Sequence, residues 1–157
     1  MTMTAEPGCV FCAIVASRAP AVVLLREDSC VAFLDLFPIA RGHALVVPVE
    51  HAATLGELPT SVQRELFAMA GKVLEAQRLS GLPFSGGNLL LNDGRAANQH
   101  IPHVHVHVVP RTAGDLPRIV AGLVRRLLRG FGARASRQRL EETAALIRPR
   151  LGPSDGG

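Results

Sequence analysis

Apolar and polar residues alternate from His103 to Val108, with histidine at the odd positions and valine at the even ones. An extended chain sends successive side chains to opposite faces. The pattern therefore predicts a strand with Val104, Val106 and Val108 on a buried back and His103, His105 and His107 together on the front. Elsewhere the same reading gives a short helix over Val10–Val15, after Pro7-Gly8. Strands follow at residues 21–26 and 30–36, separated by the turn-forming Glu27-Asp28-Ser29, and a third at 43–47 is closed by Pro48. Pro59-Thr60 opens the longest helix, with Thr60 and Gln63 spaced as a capping box. Its stripe expected to be buried is Val62, Leu66, Phe67, Met69, Ala70, Val73 and Leu74, and Ser80-Gly81 with Pro83 stop it.

Gly86-Gly87 leads into a strand over 88–91, and Asn92-Asp93-Gly94 is a turn of the kind that needs positive φ. A polar loop, 95–102, delivers the chain to the histidine strand. Beyond Arg111 the period becomes helical: Ile119, Val120, Leu123, Val124, Leu127 and Leu128 share one side, Arg125, Arg126 and Arg129 lie toward the other, and Gly130 ends the run. A last helix over 136–148 is stopped by Pro149, and a Gly/Pro/Ser tail is expected to be disordered. This order of elements predicts an α+β domain with a mostly antiparallel sheet, without repeats or a second domain.

Composition adds bounds. A chain of 157 residues is long enough for one domain with its own core. No apolar run has the length of a membrane span and the first eight residues carry no basic side chain, so the expectation is a cytoplasmic protein without a membrane role. Three cysteines, an odd number, argue against a disulfide framework. Residues 1–110 carry a net charge of −2 and residues 111–157 one of +6. Such a basic end suits nucleic acid, a membrane surface or a phosphate-bearing ligand, but a solvated helix face accounts for it more simply.

The chemistry follows from the residue types. A neutral imidazole is a competent nucleophile at neutral pH, and phosphorus is a suitable target. The polar residues Asn92, Asn98, Gln99 and His100 in the preceding loop are of the right kind to donate to phosphoryl oxygens. A metal-binding histidine ladder is the other reading of the same spacing. Cys9-x-x-Cys12 on one helical turn puts two thiols on one face, as a tetrahedral metal requires of two ligands, though redox chemistry uses the same spacing. Cys30, within a strand, reads as buried packing.

Gln99-His100-Ile101-Pro102-His103-Val104-His105-Val106-His107-Val108-Val109 resembles the signature of the histidine triad (HIT) family, His-φ-His-φ-His-φ-φ with φ apolar. The segments Cys9-Val10-Phe11-Cys12-Ala13-Ile14-Val15, Val31-Ala32-Phe33-Leu34-Asp35-Leu36-Phe37-Pro38, Arg41-Gly42-His43-Ala44-Leu45-Val46-Val47-Pro48 and Asn92-Asp93-Gly94 resemble further family segments in order, so the likeness covers residues 9–114. It implies a HIT-like fold with a five-stranded sheet, one long and several short helices, and a homodimer. The family core would be residues 1–114, with 115–157 a helical extension packed on the same domain.

The implied activity is hydrolysis at the α-phosphate of an AMP-type purine nucleotide conjugate, a nucleoside phosphoramidate or a dinucleoside polyphosphate. His105 inherits the nucleophile's position, with His107 and His43 beside it. Asp35 matches a ribose-binding carboxylate, Asn92 and Gln99 match ribose or phosphate contacts, and Phe11, Ile14, Phe33 and Leu36 match the slot for the base. His100 stands where the family has a small hydroxyl residue and is a candidate phosphate contact or proton donor. Asn98 replaces a common glycine, which asparagine tolerates in left-handed geometry. The resemblance to zinc-containing bacterial members implies a structural zinc held by Cys9, Cys12, His51 and His103, and no organic cofactor. Nucleic acid is not an expected partner, because the end-processing members carry an added nucleic-acid domain. A non-catalytic nucleotide- or metal-binding regulatory module on the same fold is the alternative.

Overall fold

Two strands are buried at every residue, β2 (Cys30–Leu34) and β3 (Ala44–Pro48). That requires a sheet covered on both faces. The computed structural model, which describes residues 6–129 and 134–152, has such a sheet. β1 (Val23–Arg26), β2, β3, β4 (Gly86–Leu91) and β5 (Val106–Arg111) are arranged in the order β1-β2-β3-β5-β4, with every pairing antiparallel. Strand alternation sorts the core into two layers. Cys30, Ala32, Leu34, Ala44 and Val46 pack on one side with Leu66, Met69, Ala70 and Val73 of the long helix α2 (Thr60–Leu79). Val31, Phe33, Leu45 and Val47 pack on the other with Phe11, Ile14 and Val15 of α1 (Val10–Val15).

The valines of the histidine segment join the α2 layer, which turns the alternate imidazoles toward α1. The ladder is shorter than the alternation predicts. β5 begins at Val106, and residues 103–105 precede it. The register Val46↔Val106 would bring Pro48 opposite Val104, and a proline has no N–H to continue the pairing. Val104 instead donates its N–H to the Ala52 carbonyl at 2.8 Å. The histidines are also more enclosed than an exposed row, with His103 and His105 buried and His107 half-buried.

α2 corrects two further expectations. Pro59 is its N-cap without a side-chain cap, so no capping box forms. Gln63 instead donates from Nε2 to the carbonyls of Leu55 and Leu58. Phe67 is 42% exposed, because it lies off the stripe completed by Ala76 and Gln77. Gln77 is wholly buried and donates from Nε2 to the carbonyls of Gly42 (2.9 Å) and Val108 (3.2 Å), tying the helix to the start of β3 and to β5. In a layer otherwise apolar, such a bond orients the helix as well as satisfying backbone oxygens.

Two helices follow β5: α3 (Leu116–Arg129) and α4 (Arg137–Ile147). Ser136 caps α4, accepting from the Arg139 N–H, and Arg148 donates to the Val23 carbonyl at 2.9 and 2.7 Å, which fastens the end of α4 to β1. In α3, Ile119 is buried whereas Val120, Leu123, Val124 and Leu128 are exposed. The expected stop at Gly130, the side chains of Arg125, Arg126, Leu127 and Arg129, and the expected disordered tail lie outside the described residues or side chains. No helix among the described residues is long and apolar enough to cross a membrane.

Gly42 connects this scaffold to the site that follows. Its φ of +90° is left-handed, and an added Cβ would lie 2.9 Å from Leu82 Cδ1 and 3.4 Å from Pro110 Cγ. Gly42→Ala combines backbone strain with crowding and is expected to cost about 1–3 kcal/mol, read as a lower urea midpoint; an unchanged midpoint would contradict this packing.

Candidate active site and metal-binding cluster

A cavity of about 1020 Å³ opens on the α1 side of the sheet. Its polar wall includes Asp35, His43, Asn92, Asn98, His100, His105 and His107, and its apolar wall Phe11, Ile14, Phe33, Leu36, Leu45 and Leu90. All but one of the expected nucleotide-contacting residues are thereby brought together. The exception is Gln99. Its Oε1 accepts from the Gly94 N–H at 2.7 Å and its Nε2 donates to the Ala53 carbonyl at 2.8 Å. These two bonds staple the loop, and Gln99 is not among the residues lining the cavity. Asn98 adopts φ +66° and ψ +32°, the left-handed conformation anticipated where the family carries glycine.

His105 lies next to His107, with ring centroids 4.9 Å apart at 71°. Its Nδ1 is 2.7 Å from the His103 carbonyl. A carbonyl only accepts, so Nδ1 carries the proton and the neutral ring's lone pair sits on Nε2. Beside it, His107 Nδ1 is 3.0 Å from His43 Nε2. His43 Nδ1 lies 3.3 Å from Asp35 Oδ2 and 3.3 Å from the Ile39 N–H. The ring thus finds a partner in either tautomer, donating to Asp35 or accepting from Ile39, which is what a proton carrier needs. Asp35 Oδ1 accepts from the Phe37 N–H at 2.9 Å. The carboxylate is buried on the cavity wall.

The Asp35–His43 pairing was absent from the sequence reading. It follows from the β2–β3 register: Leu34 pairs with Ala44, so Asp35 and His43 are the next residues out, joined by Asp35 N–H to His43 carbonyl at 2.9 Å. The cavity also reaches Leu123, Arg134, Ser136 and Arg137.

On the far side of Phe11, Cys9, Cys12, His51 and His103 converge, with their ligand atoms within 4.8 Å of one another. His103 Nδ1 is 3.4 Å from Cys9 Sγ, 3.6 Å from Cys12 Sγ and 3.2 Å from His51 Nδ1; Cys12 Sγ is 3.3 Å from His51 Nδ1. Metal–ligand bonds of about 2.0–2.3 Å place the corners of a tetrahedron roughly 3.3–3.8 Å apart, so the separations suit zinc. The donor chemistry agrees. His103 Nε2 donates to the Pro48 carbonyl at 3.0 Å, leaving Nδ1 bare, and burial lowers the ring's pKa to about 4, so it stays neutral. Burial, and the neighbouring Cys9, push the Cys12 thiol up; a bound cation would reverse that penalty. Cys30 is separate and buried, with its pKa pushed up to about 11 by desolvation, as expected for packing.

The HIT domain family model matches residues 16–114, which contain the whole triad and the Asp35–His43 pair. The chain belongs to the HIT family. A HIT-like protein of Mycobacterium tuberculosis is similar to it at 37% identity over 118 residues, 75% of this chain and 81% of the relative. The adenosine 5'-monophosphoramidase of Saccharomyces cerevisiae is 34% identical over 108 residues, 69% of this chain and 65% of the relative. Among solved structures, a Zn-bound histidine triad family protein from Mycobacterium smegmatis matches with a TM-score of 0.75 and 36% identity, covering 92% of this chain and 93% of the other. In this HIT protein, α1 precedes the matched region, so both cysteines and Phe11 come from outside it.

Protein purified without chelator is expected to hold about one equivalent of zinc by elemental analysis, as four protein ligands with no open position imply. Cys12→Ser should lose the metal and lower Tm. Less than a few tenths of an equivalent in the wild-type protein would rule this out.

Proposed function

We propose that this HIT protein is a hydrolase of AMP-type purine nucleotide conjugates that works through a covalent nucleotidyl-His105 intermediate. The observation that carries the reading is the 2.7 Å bond from His105 Nδ1 to the His103 carbonyl. It commits the ring to the tautomer whose Nε2 is nucleophilic, on a side chain that lines the cavity. The named activity of the yeast relative, adenosine 5'-monophosphoramidase, supports a nucleoside phosphoramidate as the first substrate class to test; dinucleoside polyphosphates are the second.

The Nε2 lone pair forms the N–P bond while the bond from phosphorus to the leaving amine or nucleotide breaks, and the departing group takes up a proton. Water then attacks the phosphorus, the His105–phosphorus bond breaks, and the water's proton is returned to the protein. His107 and His43, 3.0 Å apart and backed by Asp35, hold and move these protons. Asn92 and His100 donate to phosphoryl oxygens, Asp35 accepts from ribose, and Phe11, Ile14, Phe33 and Leu36 form the slot for the base. Zinc in the Cys9, Cys12, His51 and His103 cluster is structural. The working unit is a cytoplasmic homodimer, formed through the open edge of β4 and the exposed face of α2, where Phe67 and Gly71 have room for a second copy. The C-terminal helices belong to the same domain.

His105→Ala should reduce kcat/KM for an adenosine phosphoramidate by roughly 10³-fold or more and leave AMP affinity within about threefold of wild type. Unchanged turnover would remove this mechanism. Comparing kcat/KM for the phosphoramidate with that for a diadenosine polyphosphate in the same preparation assigns the leaving group. Sedimentation at micromolar concentration should give twice the chain mass, and a monomer would refute the proposed assembly.

A further inference from the structure

The metal cluster and the reacting ring meet at one residue. His103 contributes Nδ1 to the cluster and its backbone carbonyl to His105 Nδ1. Its Nε2 is fixed on the Pro48 carbonyl at 3.0 Å, so a metal bound at Nδ1 would hold the ring from both nitrogens. A second link runs through Phe11, which sits between Cys9 and Cys12 in the chain. Its ring meets His103 edge-on at 5.8 Å and His105 at 5.2 Å. Both connections are short: one residue of backbone, and one aromatic ring on a six-residue helix whose N-cap and first turn carry the thiols.

The requirement they serve is specific. A neutral histidine in water favours the form protonated at Nε2, the wrong form for attack on phosphorus. Holding the opposite tautomer takes an acceptor that stays in place at Nδ1. The His103 carbonyl is that acceptor; it lies ahead of the β5 ladder, and its peptide is held not by strand pairing but by the Val104 N–H on the Ala52 carbonyl at 2.8 Å, in the segment that follows the metal ligand His51. We propose that the metal centre positions the nucleophile: a metal bound by Cys9, Cys12, His51 and His103, acting through the His103 backbone and the Phe11 ring, keeps His105 in its Nδ1–H form. The inference rests on the reading of His105 as nucleophile, but its structural half can be read without any reaction. His103 and Phe11 are positioning residues in this scheme, Phe11 in addition to its place on the cavity wall.

The test uses the full chain with ¹⁵N-labelled histidine, zinc-loaded and after chelation, at one fixed pH. His51→Ala is the matching variant, because the His51 ring meets Cys12 and His103 and so removes a ligand without altering the carbonyl or Phe11. The loaded protein should give the long-range ¹⁵N–¹H pattern of the Nδ1–H tautomer at His105. The chelated protein and His51→Ala should show mixed tautomers at that ring, with kcat down roughly tenfold or more and KM within about twofold. His51→Cys, which restores a zinc ligand, should recover both readouts. A folded metal-free protein with an unchanged His105 pattern and kcat would overturn the inference. So would metal-free forms that simply unfold, for then the metal holds the fold and does nothing further for His105. Loss of the Nδ1–H pattern with the metal, in a loaded protein that hydrolyses neither substrate class, supports the positioning and removes only the hydrolase reading.

Discussion

One backbone carbonyl, that of His103, governs what the cavity can do. In an unbroken ladder it would be spent on a neighbouring strand, and His105 would have no fixed acceptor at Nδ1. It lies ahead of β5, whose pairing with β3 stops where Pro48, opposite Val104, has no N–H for the Val104 carbonyl. The same proline supplies its carbonyl to His103 Nε2. A strand ending thus accomplishes two things: it frees the acceptor that sets one imidazole's tautomer, and it anchors the imidazole next to it. The three triad histidines consequently have three different environments, although the chain spaces them evenly.

The division between the two sheet faces makes those environments affordable in stability. The α2 side holds aliphatic residues and one cross-link, from Gln77 Nε2 to two carbonyls, although the buried Gln77 Oε1 has no partner; burial there supplies the hydrophobic driving force. The α1 side collects the groups that are costly to bury: Asp35, His43, His103 and His105. Each is matched to a partner, Asp35 with the Phe37 N–H and His43, His105 with a carbonyl, His103 with Pro48 and the cysteine pair. Buried polar groups so satisfied rigidify a site, whereas the same groups unpaired would destabilise the domain.

Three arginines of the basic C-terminal end, Arg111, Arg137 and Arg148, are engaged in internal contacts. Arg111 holds Asp115 through Nε and Nη2 and reaches Asn88 through Nη1, which fixes the entry into α3 and keeps the Asp115 carboxyl low, at about 2. Arg148 donates twice to the Val23 carbonyl of β1 and pairs with Glu141, which also meets Arg137. Arginines committed in this way organise helices around the sheet.

The histidine–valine alternation, the short helix carrying Cys9 and Cys12, the long helix and the five strands were legible in the chain, because strand and helix periods are local properties that burial on one face imposes residue by residue. The left-handed geometry at Asn98 was implied instead by the family resemblance, which has a common glycine at that position. Three things were decided only by the assembled structure. Gln99 became a loop staple because Gly94 and Ala53 came within reach of its amide. Asp35 acquired His43 because antiparallel register set them opposite each other. His103 came to face Cys9, Cys12 and His51 while His105 and His107 faced the cavity, since Pro48 ended the pairing. Sequence period assigns a side chain to a face; only the register and the ends of strands decide which partners that face contains.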